Sequence, residues 1–305
     1  MRFGLDYGGT NLKFGIFSGD GQLISFKSVP LQNFMPAEQL LDNILNFVRV
    51  FRQGYDLDRG GVAIKGLVNP QTGMVLEDIG AGNYLAGRNL QKDFETALEI
   101  PVIIENDARA YAFGEWLFGA GKGAHTLACM TLGTGLGCAV IHEGRSYVGC
   151  DPYGGLLGGH LSIDRNGPEC ACGNRGCLEL YCSAPAFSKR IMQNHPDLIA
   201  KEDILPIFFE GVSLQKMGYA ETLQTFIDDL AIGVVNVIHA YNPDLVVIGG
   251  GVMESADFIL PSLHEQVNRR AWTFPRGKVD LRAASLGNKA AALGVAFHPE
   301  LDNKT

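Results

Sequence analysis

The order of apolar and polar residues divides the N-terminal part of the chain into short strands and one amphipathic helix. Residues 2–6 and 12–17 have the composition of buried strands on either side of the glycine turn 8–10. Residues 23–28 follow a second tight turn, so we expect an antiparallel meander of three strands. Residues 37–52 then carry apolar side chains at helical spacing, which predicts a helix.

The same arrangement recurs in the second half of the chain. Residues 126–132 and 138–142 have strand-like patterns on either side of another glycine turn. Further buried strands are predicted at 61–64, 102–104 and 245–248, and further helices at 108–117, 184–193, 222–241, 257–270 and 289–297. Two units of this kind without a linker-like segment between them predict an α/β protein of two related lobes. We expect a small N-terminal lobe of residues 1–116, completed by the C-terminal helix 289–305, and a larger lobe of residues 117–288.

Composition excludes several classes of partner. The formal net charge is −8, with 33 acidic against 25 basic residues, so we expect no nucleic-acid partner. The first residues have no leader-like pattern, and no apolar run approaches the length of a membrane span, so we expect a cytoplasmic protein without a membrane partner. The seven cysteines of such a chain are read as reduced thiols or metal ligands.

One loop concentrates groups that bind metals. Cys170, Cys172 and Cys177 have the spacing C-x-C-x4-C, and His160 lies upstream in the same glycine-rich stretch. The loop is therefore either a structural metal site or a group of buried thiols.

Three glycine-rich turns are candidate nucleotide contacts. Asp6-Tyr7-Gly8-Gly9-Thr10-Asn11 and Leu132-Gly133-Thr134-Gly135 each follow a strand, and glycine lets the backbone approach a phosphate. A plain hairpin turn is the alternative for each. Gly249, Gly250 and Gly251 follow a buried strand and either accommodate a base or ribose or simply turn the chain into a helix. Neither hairpin matches a Walker or Rossmann pattern.

A catalytic candidate follows the strand 102–104. Glu105, Asn106 and Asp107 are three consecutive polar residues just before a predicted helix. A carboxylate at this point can take the proton from an attacking hydroxyl, with the neighbouring amide holding the substrate. The alternative is that Asn and Asp are common helix N-caps.

Taken together, these motifs resemble the ROK family of bacterial sugar kinases and sugar-responsive repressors. The order is Asp-x-Gly-Gly-Thr, Glu-Asn-Asp, Leu-Gly-Thr-Gly-x-Gly, Gly-His, Cys-x-Cys-Gly-x-x-Gly-Cys-x-Glu and Gly-Gly-Gly. The resemblance covers nearly the whole chain, and its cysteine motif is highly specific. It implies an actin-like, ribonuclease-H-like ATPase fold of two lobes, a central cleft that holds ATP and sugar, and a zinc-binding loop.

The resemblance also implies roles for individual residues. Asp107 is the implied general base for a sugar hydroxyl, usually the 6-hydroxyl. The implied sugar contacts are Gly66, Asn83, Asn106, Asp107, His160 and Glu179. The implied ATP contacts are Gly8, Gly9, Thr10, Asn11, Gly133, Thr134 and Gly135 at the phosphates, Asp6 near Mg²⁺, and Gly249, Gly250 and Gly251 at the adenosine.

The implied metal is a structural Zn²⁺ held by His160, Cys170, Cys172 and Cys177. One imidazole and three thiolates complete a closed tetrahedral shell, which suits a structural zinc site and leaves no open position for catalysis. A short glycine-rich loop holds its shape poorly by burial alone, so a metal would supply rigidity. We expect one ring nitrogen of His160 to face zinc and the other to reach a sugar hydroxyl.

The chain departs from the family's usual pattern at two positions. Leu157 stands where the family has a sugar-binding glutamate, and Lys65 stands where it commonly has proline before Gly66. An apolar side chain accepts no hydrogen bond from a sugar hydroxyl, and a bond to a charged group contributes roughly 1.5–3 kcal/mol. A lysine here suits a charged or phosphorylated ligand.

The expected function is that of an ATP-dependent hexokinase, in the first place a glucokinase. The alternatives are a kinase of N-acetylglucosamine, N-acetylmannosamine or fructose, and a non-catalytic sugar-binding regulator of the same family without a DNA-binding domain. By analogy with the family we expect a homodimer or a larger homo-oligomer.

Overall fold

A computed structural model of the chain describes residues 1–78, 83–151, 157–199 and 203–303. The chain forms two compact units. One comprises Met1–Gly123, Ile141–Leu156 and Leu286–Thr305, and the other comprises Ala124–Val140 and Leu157–Ser285.

Strands and helices alternate along the described residues. The strands are β1 (Arg2–Tyr7), β2 (Asn11–Phe17), β3 (Leu23–Pro30), β4 (Arg59–Ile64), β5 (Gly66–Asn69), β6 (Met74–Asp78), β7 (Val102–Asn106), β8 (Thr126–Leu132), β9 (Leu136–His142), β10 (Arg145–Ser146), β11 (Leu245–Gly249) and β12 (Asp280–Ala283). The α-helices are α1 (Leu40–Phe51), α2 (Leu90–Leu98), α3 (Asp107–Phe118), α4 (Glu179–Cys182), α5 (Ala184–Asn194), α6 (Ile204–Ser213), α7 (Tyr219–Tyr241), α8 (Ala256–Arg270) and α9 (Ala290–Ala296).

The first sheet has the strand order β3-β2-β1-β4-β7. The predicted meander is confirmed, because β1 pairs antiparallel with β2 and β2 pairs antiparallel with β3. The strands β1, β4 and β7 are parallel neighbours. All three therefore end at the same edge of the sheet, which is where ligands bind in many sheets of this type.

Glycines allow helix α9 to lie directly on this sheet and on α3. A Cβ at Gly4 would overlap the carbonyl oxygen of Ala292, and one at Gly294 would overlap the carbonyl oxygen of Ala110. On the other face of the sheet, α1 and α2 contribute to a core that contains Phe3, Phe14 and Phe94. The sheet is thus covered on both faces, as strands with long apolar runs require.

The second sheet repeats the strand order of the first. Its order is β10-β9-β8-β11-β12, and β11 runs parallel to both β8 and β12. The neighbours β8 and β9 are joined by the glycine turn 133–135, as β1 and β2 are joined by the turn 8–10. The repeat predicted from the two glycine hairpins is confirmed at the level of strand order. The β5–β6 hairpin and helices α2 and α6 were not among the sequence predictions.

Helix α7 is the core helix of the second unit. Among the described residues it is the one helix long and apolar enough, by length and composition, to cross a membrane. It packs against α4, α5, α6 and α8, and 56% of its most apolar stretch is buried inside the protein. Internal packing accounts for the apolar character of this helix.

Candidate active site

The register of the first sheet brings several predicted site residues to one edge. Tyr7 of β1 lies opposite Ile64 of β4, and Ile64 lies opposite Asn106 of β7. The residues that follow these three positions are the glycine hairpin, Lys65 and Asp107. Candidates from three distant parts of the sequence are therefore neighbours at the ends of parallel strands.

The glycine hairpin after β1 is closed by its own backbone. The Gly8 amide donates to the carbonyl oxygen of Asn11 at 3.2 Å, and the carbonyl oxygen of Thr10 accepts a hydrogen bond from Leu31 at 2.8 Å. Gly9 and Thr10 at the tip are exposed. The tip of the hairpin is thus accessible to a ligand, while hydrogen bonds fix the rest of the hairpin to the sheet and to the segment after β3.

Asn106 is the N-cap of α3. Its Oδ1 accepts hydrogen bonds from the backbone amides of Ala108 and Arg109, at 3.0 and 3.2 Å. Its Nδ2 donates to the carbonyl oxygen of Gly66 and to Oδ1 of Asp107, both at 3.1 Å. The structural alternative noted from the sequence is thus realised by Asn106, which ties β5 and Asp107 to the start of the helix.

Asp107 is the first residue of α3 and is partly buried. Burial and the neighbouring carboxylate of Asp6 raise the pKa of Asp107 to about 6, against the lowering effects of the Ala108 amide and the Lys65 ammonium. A carboxylate with this pKa is largely ionised at neutral pH and yet basic enough to take a proton in a transition state. The position therefore suits a general base.

The second carboxylate, Asp6, lies in the sheet and is only 6% exposed. Burial raises its pKa, while an ion pair of Oδ2 with Nζ of Lys13 at 3.2 Å acts in the opposite direction. Asp6 and Asp107 thus form a pair of carboxylates at one sheet edge, and Lys13 neutralises one of them.

A buried polar network lies beside Asp107. Nε of Arg109 donates to Oε1 of Glu105 at 2.6 Å, and Nε2 of His298 lies 3.4 Å from Oε2 of the same carboxylate. Burial alone would raise the pKa of Glu105, but Arg109 and His298 outweigh burial and lower it. The Glu105 carboxylate also accepts a 2.6 Å hydrogen bond from the amide of Asn106. The network therefore holds the strand-to-helix junction that carries the candidate base.

The remaining predicted sugar contacts of this unit are Gly66 and Asn83. Gly66 begins β5 with a φ of 135°, a conformation that favours glycine, and its carbonyl oxygen accepts the Asn106 hydrogen bond. Asn83 is exposed in a turn before α2 and has a φ of 63°. Gly66 thus joins the group around Asp107, whereas Asn83 lies in the turn region that precedes α2.

In the second unit the hairpin after β8 is held by Glu179. Oε2 of this residue accepts a hydrogen bond from the amide of Leu136 at 2.7 Å, and the amide of Ala184 donates to the carbonyl oxygen of Gly133 at 2.9 Å. A Cβ at Gly135 would stand 2.6 Å from Oε2 of Glu179. Glycine at 135 therefore leaves the space in which the carboxylate reaches the hairpin, and Thr134 at the tip stays exposed.

The glycine triplet lies beside this hairpin. Gly249 of β11 is opposite Thr131 of β8, and Gly250 packs against the backbone of Leu132, with a φ of 93°. Gly251 has no neighbouring atom in the direction of a Cβ and is exposed. Close backbone packing accounts for Gly250, while Gly251 leaves its backbone accessible.

The histidine and the three thiols of the cysteine-rich loop converge. Their ligand atoms all lie within 4.8 Å of one another, with Nδ1 of His160 3.6 Å from Sγ of Cys170 and Sγ of Cys172 3.7 Å from Sγ of Cys177. Tetrahedral zinc bonds of about 2.3 Å to sulfur and 2.0–2.1 Å to nitrogen place ligand atoms about 3.6–3.8 Å apart. The donor set and its spacing therefore fit zinc. No disulfide forms among the seven cysteines.

Leu157 immediately precedes the short 3-10 turn that carries His160. Its carbonyl oxygen accepts a hydrogen bond from the His160 amide at 2.8 Å, and its side chain is 53% exposed. An exposed leucine thus occupies the position at which the resemblance implies a glutamate.

Comparison with known proteins decides the family. The ROK family model matches residues 2–298, which is nearly the whole chain. The chain belongs to the ROK family. The membership predicted from the motifs is confirmed, and the two mixed sheets are those of a ROK protein.

Relatives of the chain within the ROK family include regulators and kinases. The xylose repressor of Bacillus subtilis (strain 168) is 32% identical over 84% of this chain, and the alignment spans 65% of the repressor's own length. The glucokinase of Streptomyces coelicolor is 30% identical over 97% of this chain and 96% of the enzyme. A solved ROK family glucokinase from Streptomyces griseus, in complex with glucose and AMPPNP, has a TM-score of 0.81 and 27% identity, and the match covers 97% of this chain and 98% of that one.

Some residues of the site had little signal in the sequence. Arg109 follows Glu105 at the i, i+4 spacing of a helical ion pair, which could have indicated their contact. His298 lies far from both along the chain, and no local pattern links it to Glu105. The attachment of Glu179 to the Leu136 amide was also not anticipated.

We expect Asp107→Asn to raise the melting temperature at neutral and alkaline pH. The pKa of Asp107 rises from 3.8 to about 6 on folding, so the folded chain holds this proton more tightly and stability falls as pH rises through that interval. Asparagine cannot ionise, so the gain in Tm should be smallest near pH 4 and reach a plateau above about pH 7. Thermal denaturation across this pH range measures it.

The exposed carboxylate Asp56 provides the matched control. Asp56→Asn, at an exposed site, should leave the Tm at pH 8 nearly unchanged. A Tm of Asp107→Asn at or below that of the wild type at pH 8 would contradict the proposed cost of ionising Asp107.

Proposed function

We propose that this ROK protein is an ATP-dependent sugar kinase that transfers the γ-phosphate of ATP to a hexose hydroxyl, the 6-hydroxyl of glucose in the first place. The observation that supports this proposal most strongly is the position of Asp107. Its carboxylate has a pKa of about 6 and lies at the same sheet edge as the exposed hairpin tip Gly9-Thr10. Phosphoryl transfer needs in-line positioning, neutralised charge and a base for the hydroxyl. The first unit has the proposed base and an exposed backbone turn at one sheet edge, which supports this proposal.

In the proposed mechanism Asp107 accepts the proton of the attacking hydroxyl. Its Oδ1 is held by the Ala108 amide at 2.9 Å and by Asn106, so the carboxylate keeps its orientation. The Glu105–Arg109 pair beside it fixes the junction from which Asp107 projects. Activity should therefore rise with pH as Asp107 ionises near pH 6.

The two glycine hairpins are the proposed phosphate contacts, through the backbone at their exposed tips. Gly8, Gly9, Thr10 and Asn11 belong to one unit and Gly133, Thr134 and Gly135 to the other. The Gly249–Gly251 turn, with its accessible Gly251, is proposed for the adenosine. Mg²⁺ would be held by Asp6, because a carboxylate oxygen is a ligand that this ion prefers, and it would neutralise phosphate charge.

The proposed sugar contacts are Gly66, Asn83, Asn106 and Asp107 in one unit and His160 and Glu179 in the other. Nδ1 of His160 faces Cys170, which leaves Nε2 for a hydroxyl. Oε2 of Glu179 is engaged with Leu136, and Oε1 is the proposed sugar acceptor. Leu157 offers the sugar no acceptor, so these groups would carry recognition.

His160, Cys170, Cys172 and Cys177 are proposed to hold a structural zinc ion. A closed shell of four protein ligands supplies rigidity and no open coordination site. The loop it would tie contains Gly173 and Gly176, both at positive φ, and continues directly into α4 with Glu179. The ion would therefore stabilise the segment that carries His160 and Glu179, the two sugar contacts proposed in this unit.

A sugar-binding regulator is the second candidate. The xylose repressor aligns at an identity comparable to that of the glucokinase, and Leu157 removes an expected sugar acceptor. Sugar binding without phosphorylation would favour this alternative. A regulator that does not catalyse phosphoryl transfer would not require the raised pKa of Asp107.

We expect the wild-type protein, with ATP and Mg²⁺, to phosphorylate at least one sugar in a panel of hexoses and N-acetylhexosamines, with glucose preferred. Asp107→Asn should lower kcat by roughly 10²–10⁴, the usual contribution of a general base, and should weaken sugar binding by a much smaller factor, because asparagine keeps an oxygen for the hydroxyl. Sugar phosphate formation and calorimetric sugar binding measure the two effects. The absence of a sugar phosphate with every member of the panel would exclude the kinase.

Two substitutions at Glu179 separate its two proposed contacts. Glu179→Gln keeps an oxygen for the Leu136 amide but removes the charge, so we expect the sugar KM to rise about tenfold or more with the ATP KM nearly unchanged. Glu179→Ala also leaves the Leu136 amide unpaired and should raise both KM values. If Glu179→Gln changed the ATP KM alone, the carboxylate would serve only the hairpin.

We expect the purified protein to contain about one equivalent of zinc per chain. Cys172→Ser should lose the metal and lower the Tm, because the shell loses a ligand. The exposed Cys150 lies outside the cluster, so Cys150→Ser is the matched control. It should retain the zinc and the Tm of the wild type. Elemental analysis and thermal denaturation test this, and unchanged metal content in Cys172→Ser would refute the ligand set.

A further inference from the structure

Lys65 occupies the central position of the sheet edge that carries the candidate base. It follows β4, which lies between β1 and β7, and its amide donates to the carbonyl oxygen of Tyr7 at 3.3 Å. The phosphate hairpin proposed above begins after Tyr7 on one side, and Asp107 begins α3 on the other. The lysine backbone is thus fixed between the proposed donor turn and the proposed base.

The side chain of Lys65 lies over the hairpin. A Cβ built at Gly9 would stand 3.4 Å from Nζ of Lys65 and 3.8 Å from its Cδ. The ammonium is also close enough to Asp107 to favour the ionised carboxylate. The cation therefore lies near both the exposed tip of the hairpin and the group that would deprotonate the acceptor.

This ammonium is not committed to a salt bridge. Within the ranges that the structure describes, Lys65 forms no ion pair with a carboxylate, whereas Lys13 is bound to Asp6 at 3.2 Å. Lys65 is partly buried, which strengthens its field compared with an exposed lysine. It can therefore meet an incoming anion without first giving up a partner.

The charges at this sheet edge favour a role for the Lys65 ammonium in binding an anion. Asp6 and Asp107 contribute two negative charges and Lys13 one positive charge, so these side chains are net negative without Lys65. The Mg²⁺ proposed at Asp6 would offset that charge on the β1 side, whereas Lys65 is the cation beside the hairpin tip and Asp107. Lysine is a common point charge at phosphate sites, where it stabilises charge on the transferred group.

We propose that Lys65 is a catalytic residue that contacts the terminal phosphoryl group of the nucleotide donor during its transfer. The inference rests on the proposed kinase function and adds to it a cation that belongs to this chain's own sheet edge. Lys65 binds the phosphoryl oxygens through Nζ, while the hairpin contacts them through its backbone and Asp107 takes the acceptor proton. An anionic group on the sugar is the other source of the same chemistry.

The two sources are distinguished by calorimetric binding of AMPPNP and of ADP, each with Mg²⁺, to the full chain. Lys65→Met removes the charge at similar length, so we expect about a tenfold or greater loss of affinity for AMPPNP with little change for ADP. Lys65→Arg should retain most of the preference for AMPPNP. Lys92→Met, at an exposed site on α2, is the control and should change neither affinity.

Kinetics and folding provide the second measurement. With a neutral sugar substrate, Lys65→Met should lower kcat by roughly 10²–10³, the usual effect of losing one group that stabilises transition-state charge. Its sugar KM should be unchanged. Circular dichroism and Tm establish that each variant is folded, and Lys65→Gln replaces Lys65→Met if the latter is not.

Each result decides the proposal. Equal changes in AMPPNP and ADP binding, no change in either, or an effect confined to the sugar KM would overturn it, as would a wild-type protein that binds neither nucleotide. If Lys65→Met loses affinity for AMPPNP but not for ADP, and the wild type phosphorylates no sugar, the phosphoryl contact of Lys65 is supported and the sugar kinase function is excluded. If the wild type phosphorylates sugars and Lys65→Met has the same activity and nucleotide affinities, the kinase function is supported and the role of Lys65 is excluded.

Discussion

The parallel pairing of β1, β4 and β7 is the constraint on which the first unit depends. Hydrogen bonding sets Tyr7 beside Ile64 and Ile64 beside Asn106, so three strands end together. A change of register by one residue would reverse the faces to which their side chains point. The positions of the glycine hairpin, Lys65 and Asp107 relative to one another follow from this pairing.

Burial acts on two neighbouring carboxylates with opposite outcomes. Glu105 is buried with Arg109 and His298, and its pKa is lowered, so it stays charged and structural. Burial and, after it, the nearby carboxylate of Asp6 raise the pKa of Asp107 to about 6. Partners rather than burial alone therefore separate a carboxylate held in its charged form from one whose pKa is raised, a difference typical of sites for acid–base chemistry.

The second unit couples its loops through the backbone. The cysteine-rich loop runs into α4, whose first residue, Glu179, accepts a hydrogen bond from the Leu136 amide. The hairpin 133–135 is held in addition by Ala184 and lies beside Gly250. The cysteine-rich loop and the glycine hairpin are thus connected through Glu179, although these segments are separate along the chain.

The sequence by itself indicated most of the strands, most long helices and the repeated glycine hairpins, because apolar periodicity and turn chemistry are local properties. The ROK membership was indicated by the order of the chain's motifs, which is also a property of the sequence alone. Spacing also indicated the grouping of His160 with the three cysteines. The β5–β6 hairpin, the capping role of Asn106 and the contacts of Glu179 required the tertiary structure. So did the link from Glu105 to His298 and the place of Lys65 over Gly9. These features arise between residues that lie far apart in sequence, and only strand register and packing decide which of them meet.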